Sequence, residues 1–155
     1  MGVEIERKFL VDDARWWQLA ANEFSYLRQG YISADPKRIV RVRATEKEGF
    51  LTIKGISTGA ARAEFEYTIP REDAETLLDT LCDNIIAKRR YLVEHARQTW
   101  EVDVFLGDNE GLIVAEIELD DENEQFELPG WIGREVTEEE KYYNASLSRR
   151  PFKSW

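Results

Sequence analysis

Polar residues, nearly all charged, recur in this chain at a spacing of two: Glu4 and Glu6 with Lys8, Arg41 and Arg43, Thr52 and Lys54, Glu64 and Glu66, Lys88 and Arg90, Glu101 and Asp103, Glu116 and Glu118. Carboxylate oxygens are the ligands that hard divalent cations such as Mg²⁺ and Mn²⁺ prefer. Arg and Lys suit a chain of phosphates, Arg as a planar fork and Lys as a point charge. Brought round one space, the two sets would make a metal–polyphosphate site. There the cation would neutralise charge and position water for in-line attack, while the basic groups stabilise developing charge.

A spacing of two is the period of a β-strand, so strands must position these groups. Alternation and turn signals place strands over residues 4–11, 26–33 (interrupted by Gly30), 38–45, 50–56, 63–69, 85–94, 99–106 and 112–119. Asp12 or Asp13 can cap a helix running to about Phe24, with Trp16, Trp17, Leu19 and Ala20 as its apolar content. Pro70 closes one strand and opens a second helix, where Ala74, Leu77, Leu78 and Leu81 recur at helical spacing. Residues 57–60 read as a flexible connection and 120–124 as a solvated acidic loop. A last helix is expected near Thr137, which with Glu140 forms a capping box. About eight strands joined by short turns are most simply closed into an antiparallel barrel, which removes their edges. The expectation is a mainly β single domain over residues 1–155 with flanking helices.

Periodicity alone slightly favours charged faces that point out to solvent, with inward-pointing faces as the alternative. On the outside they would be screened and mean little. On the inside they must be paired or coordinated, and the helices would then have apolar sheet faces to cover.

Composition narrows the classes. With 155 residues, 43% hydrophobic and 34% charged, the chain suits one soluble domain. A net charge of −10 argues against broad nucleic-acid or anionic-membrane binding, although not against a small polyanion. No apolar run approaches the roughly 20 residues of a transmembrane helix. The N-terminus lacks signal-peptide character, and Glu6 breaks the myristoylation pattern, so a cytoplasmic protein is expected. Cys82 and His95 are each single, which excludes an intrachain disulfide and a His/Cys zinc site. Cys82 is expected to be small core filling and His95 a surface or packing residue.

Glu4-Ile5-Glu6-Arg7-Lys8 resembles the E-x-E-x-K signature of the CYTH superfamily, the triphosphate tunnel metalloenzymes. The likeness continues in order through Arg41-Val42-Arg43, Lys54, Glu64-Phe65-Glu66, Lys88-Arg89-Arg90, Asp103-Val104-Phe105 and Glu116-Ile117-Glu118, and on to Val136-Thr137 and Tyr143-Asn144. One E-x-E-x-K is weak, whereas eight ordered motifs over the whole chain are specific. The short length is most similar to compact bacterial members.

The resemblance implies an eight-stranded tunnel with the charged faces inside. It makes Glu4, Glu6, Asp103, Glu116 and Glu118 the metal-side carboxylates, and Lys8, Arg41, Arg43, Lys54, Lys88, Arg90 and Lys141 the phosphate-binding groups. Glu64 and Glu66 line the tunnel. Tyr31, in an R-Q-G-Y segment like that of compact relatives, joins Lys8 and Glu6 as a candidate for the catalytic step. A phenol with an ordinary pKa near ~10 positions a group more easily than it accepts a proton, and an aromatic packed at the wall is the plain alternative. A solvated helix lysine is the plain alternative for Lys141. The implied activity is Mg²⁺- or Mn²⁺-dependent hydrolysis of a linear triphosphate, inorganic tripolyphosphate first. The alternatives are a nucleoside or thiamine triphosphatase, an adenylate cyclase, or a non-catalytic polyphosphate-binding module. A homodimer is left open, and a lipocalin-like carrier is disfavoured by the charged faces.

Overall fold

The computed structural model describes residues 2–12 and 23–155. Among them the chain forms β1 (Val3–Val11), β2 (Ser25–Asp35), β3 (Arg38–Ala44), β4 (Gly49–Thr58), β5 (Ala61–Ile69), α1 (Arg71–Leu81), β6 (Asp83–His95), β7 (Gln98–Phe105), β8 (Ile113–Glu118), β9 (Ile132–Glu135) and α2 (Asn144–Arg149). The first helix anticipated from the sequence falls almost wholly outside the described residues. None of the described helices is long and apolar enough to cross a membrane.

The strands run β5-β4-β3-β2-β6-β7-β8-β1, and pairing of β1 with β5 closes them into an eight-stranded antiparallel barrel. β5 pairs with β1 only through Ile5, after which β9 takes the same strand from Phe9 to Val11. The extra strand satisfies backbone groups that would otherwise face no partner.

Alternation now has a direction. The outward residues Phe9, Tyr91, Val93, Trp100, Val102, Ala115 and Ile117 form a buried cluster with Leu119 and Trp131 from the segment after β8. On the opposite wall Val42 and Ala44 pack under Ala74 and Leu78 of α1. That helix follows Pro70 and carries Glu72 and Asp73 in its first turn, where carboxylates complement the helix dipole. On these walls the apolar faces are therefore the covered ones, whereas Ile53, Phe65 and Tyr67 on β4 and β5 stay exposed, and the charged faces line the interior.

The interior is not charged throughout. Leu10, Ile39, Ile86, Phe105 and Val114 share the inward parity of the charged residues and pack around Leu147 of α2 with Tyr31, Val136 and Tyr142. This apolar plug fills one end of the barrel and fixes α2 against it.

Three local expectations change. β2 is continuous through Gly30, where register shifts and where any Cβ would lie 2.7 Å from the Cβ of Cys82. Glycine is needed there for close approach, not as a break. The supposed flexible connection is strand up to Thr58 and from Ala61, turned by Gly59 at φ +60°. Thr137 caps no helix. Its hydroxyl accepts from the Lys8 backbone N–H and donates to Glu135, and Val136 N–H donates to the Lys8 carbonyl. Residues 136–137 thus extend the β9 contact with β1, and the helix begins at Asn144 instead.

Candidate active site in the barrel lumen

Strand register converts the spacing of two into a charged surface. Glu6 lies opposite Glu118 and Lys8 opposite Glu116 across β1 and β8. Arg90 faces Asp103 across β6 and β7, and Lys54 faces Glu64 across β4 and β5. The result is a cavity of about 490 Å³ lined by Glu4, Glu6, Lys8, Tyr31, Arg41, Arg43, Lys54, Glu64, Glu66, Lys88, Arg90, Glu101, Glu116 and Glu118. Every residue anticipated for the site lines it except two. Asp103 is fully buried just behind the basic groups. Lys141 is exposed, its ammonium 4.6 Å from the Trp155 ring and 5.4 Å from that of Tyr142, and the structure does not bring it to the cavity.

Most lumen cations are paired. Lys88 Nζ donates to Asp103 at 2.7 Å, and Arg90 holds Asp103 at 2.8 Å and Glu101 at 3.2 Å. Lys54 lies 2.8 Å from Glu4 and 3.5 Å from Glu64, Arg41 3.4 Å from Glu66, and Lys8 3.7 Å from Glu116. Arg43 differs: its Nε and Nη2 both donate to the amide oxygen of Gln29, at 2.9 and 2.8 Å. Burial, with Arg41 and Arg90 nearby, lowers Arg43 to about 9. Burial also lowers Lys88 to about 7, against the pull of Asp103.

Electrostatics sorts the carboxylates into two groups. Burial would raise Asp103 and Glu116, but adjacent cations win: Arg90 and Lys88 hold Asp103 far below its usual range, and Lys8 with Arg90 and Lys88 holds Glu116 at about 2. Glu4, Glu6 and Glu118 go the other way. Burial raises each, and they reinforce one another: Glu6 feels Glu116 and Glu4, and Glu118 feels Glu101 and Glu4. Carboxylates therefore outnumber cations around Glu4, Glu6 and Glu118, where Lys54 is the neighbouring cation of Glu4. One carboxylate oxygen from each of Glu4, Glu64 and Glu118 lies within 4.8 Å of the others. An all-oxygen donor set with surplus negative charge fits a hard divalent cation. Glu64, anticipated only as lining, is part of it.

Replacing Glu6 by Gln is expected to raise the melting temperature of metal-free protein at pH 7–8. A carboxyl whose folded-state pKa is raised costs stability once the unfolded chain ionises above about pH 4.5, and the full cost applies above the folded value. The gain should vanish near pH 4, where the carboxyl is protonated in both states. Scanning calorimetry across pH checks it; a uniform loss of stability would contradict the assignment.

Several lumen residues carried no usable spacing signal. Thr137, Glu138, Glu140, Tyr143, Asn144 and Ser146 come from the irregular segment that crosses the mouth and from the start of α2. Arg62, two residues before Glu64, and Gln29, two before Tyr31, continue the alternation and could have been found by extending it. Gln29 is fully buried; its Nε2 donates to Tyr31 Oη at 3.2 Å and to Asn144 Oδ1 at 3.1 Å. His95 meets Glu127 at the surface, and Cys82 packs beside Val42, Ala44 and Leu78, as their chemistry suggested.

A closed barrel with basic groups and grouped carboxylates facing its own lumen defines a protein built to hold a small polyanion together with a cation. The known proteins it is similar to agree. A model of the CYTH domain family matches residues 2–152, and the chain belongs to that family. It is 49% identical over 156 residues to an inorganic triphosphatase of Acetivibrio thermocellus, covering 100% of this chain and 99% of that protein. An inorganic triphosphatase of Nitrosomonas europaea is 36% identical over 149 residues, covering 94% and 96%. Among solved structures, one of an inorganic triphosphatase superposes with a TM-score of 0.64 at 33% identity, covering 94% of this chain and 97% of that one. A structure of a putative adenylate cyclase from Bacillus halodurans reaches a TM-score of 0.63 at 18% identity over 79% and 84% of the two chains, a likeness of fold alone.

Proposed function

We propose that this chain is a divalent-metal-dependent triphosphatase that hydrolyses inorganic tripolyphosphate within the barrel, using Mg²⁺ or Mn²⁺. The observation that carries the reading is that the lumen holds, beside its basic groups, a carboxylate cluster at Glu4, Glu64 and Glu118 that shares a single neighbouring cation, Lys54. Simple anion capture has no use for such a cluster. The full-length similarity to two inorganic triphosphatases points to the same substrate.

Each residue has a physical part in this reading. Glu4, Glu64 and Glu118 hold the cation, with Glu6 beside them as a further carboxylate. The bound cation would neutralise phosphate charge and polarise the phosphorus under attack. Lys8, Arg41, Arg43, Lys54, Lys88 and Arg90 orient the phosphates and stabilise charge developing on their oxygens. Arg41 Nε is buried and makes no hydrogen bond, a donor that a phosphate oxygen would satisfy. Asp103 holds Lys88 and Arg90 in place. Tyr31 positions rather than abstracts a proton.

Phosphate release from tripolyphosphate, ATP and thiamine triphosphate, each with Mg²⁺ and with Mn²⁺, tests the proposal, with cyclic AMP measured alongside. Fastest turnover is expected on tripolyphosphate with no cyclic AMP. Tight binding without turnover under any metal would overturn the enzyme reading in favour of a binding module.

A further inference from the structure

The orientation of one buried side chain is fixed by its neighbours in a way that assigns hydrogen-bond direction across the lumen wall. Arg has only donors. Because Arg43 gives Gln29 two hydrogen bonds, at 2.9 and 2.8 Å, the atom receiving them must be the amide oxygen. The amide nitrogen must therefore face Tyr31 Oη at 3.2 Å and Asn144 Oδ1 at 3.1 Å. Lys88 Nζ, which donates to Asp103 Oδ2 at 2.7 Å, also donates to the same Asn144 Oδ1 at 3.0 Å, which fixes that amide as well. Directions along Arg43, Gln29, Asn144 and Lys88 are then determined without freedom to flip. Tyr31 accepts at its oxygen, so its hydroxyl proton is left to be given toward the cavity that the residue lines.

The neutrality of Gln29 matters equally. Lys8, Arg41, Lys54, Lys88 and Arg90 each lie within ion-pair distance of a carboxylate. Among the described residues Arg43 has no such partner, and its guanidinium is held by an amide instead. An amide oxygen sets the geometry of the fork without cancelling its charge, whereas a carboxylate would do both. Register makes the contact possible, since Gln29 stands directly opposite Arg43 across β2 and β3.

We propose that Gln29 is a positioning residue for the phosphate site: its oxygen aims Arg43 while leaving its charge for the substrate, and its amide nitrogen turns Tyr31 into a hydrogen-bond donor facing the lumen. The proposal rests on the triphosphatase reading for its catalytic consequence, but not for the orientation of the side chains.

Two measurements separate those parts. In ¹⁵N-labelled protein, the Arg43 Nε–H signal should exchange slowly with solvent in wild type and in Tyr31→Phe, and become fast or vanish in Gln29→Met, a swap of similar volume. Slow exchange in Gln29→Met, or fast exchange in wild type, overturns the proposal whatever the enzyme does. In kinetics on tripolyphosphate, Gln29→Met should lose about 10- to 100-fold in kcat/KM, as loss of an orienting partner typically does, and adding Tyr31→Phe should cost less than Tyr31→Phe costs alone. Gln29→Glu keeps the acceptors for Arg43 but offers no donor and compensates its charge; a rise in KM is expected, with the slow Arg43 signal retained. Wild-type kinetics in Gln29→Met and Gln29→Glu would overturn the proposal while leaving the triphosphatase intact. Wild-type protein with the expected exchange pattern and no turnover would instead overturn the triphosphatase and leave the orientation standing.

Discussion

Glu118→Gln is expected to reduce kcat/KM for tripolyphosphate by about 100-fold or more at a metal concentration that saturates wild type, and to regain part of that loss as metal is raised. The geometry makes this a clean measurement. The Glu118 side chain is exposed at the cavity wall and makes no hydrogen bond or ion pair among the described residues, so the change removes a ligand charge without breaking a polar contact. Removing even an outer partner of a metal site typically costs 10–100-fold, and a direct ligand should cost at least the upper end of that range. Glu4→Gln would be less informative, because it also frees Lys54 from a 2.8 Å contact. The check is a matrix of substrate against metal concentration with melting temperature measured in parallel. Unchanged kinetics at every metal level would remove Glu118 from the site and with it the Glu4–Glu64–Glu118 cluster.

Why the barrel was legible in the sequence, and part of the site was not, follows from what spacing encodes. A period of two identifies strands and tells which residues of one strand share a face, and the resemblance to the CYTH family is what brings Lys8, Arg43 and Glu118 from three strands round one lumen. The period itself does not say which face is inside. That depended on what covers the apolar faces, and the answer lies in α1 over Val42 and Ala44 and in Trp131 and Leu119 against Trp100. Nor does spacing report register. Asp103 and Glu118 look alike in sequence, yet one sits opposite Arg90 and is held ionised while the other sits opposite Glu6 and is pushed up. The segment that crosses the mouth has no periodicity at all. Thr137 there resembles a helix cap because its chemistry suits either role, and only the free edge of β1 decides between them.

Asp103→Asn should be the most destabilising single replacement of a charged lumen residue. Both Asp103 oxygens are used, Oδ1 by Arg90 Nε and Oδ2 by Lys88 Nζ and Arg90 Nη2, and the side chain is fully buried. Removing one member of a buried ion-pair group leaves uncompensated charge and costs about 3–5 kcal/mol, or roughly 6–20 °C in melting temperature at about 2–4 °C per kcal/mol. Lys88, already lowered to about 7, can shed its proton in the variant, but Arg90 cannot, so a deficit should persist at alkaline pH. Since Asp103 is depressed in the folded state, its contribution is complete above its unfolded pKa, and the gap between wild type and variant should close only as pH falls below about 4. Metal concentration separates this counter-ion role from that of a ligand. Thermal denaturation of the variant should be no better restored by Mg²⁺ or Mn²⁺ than wild type is stabilised by them, because Asp103 pairs with Lys88 and Arg90 rather than with a metal ion. A near-wild-type melting temperature together with metal-rescued activity would instead place Asp103 among the metal ligands.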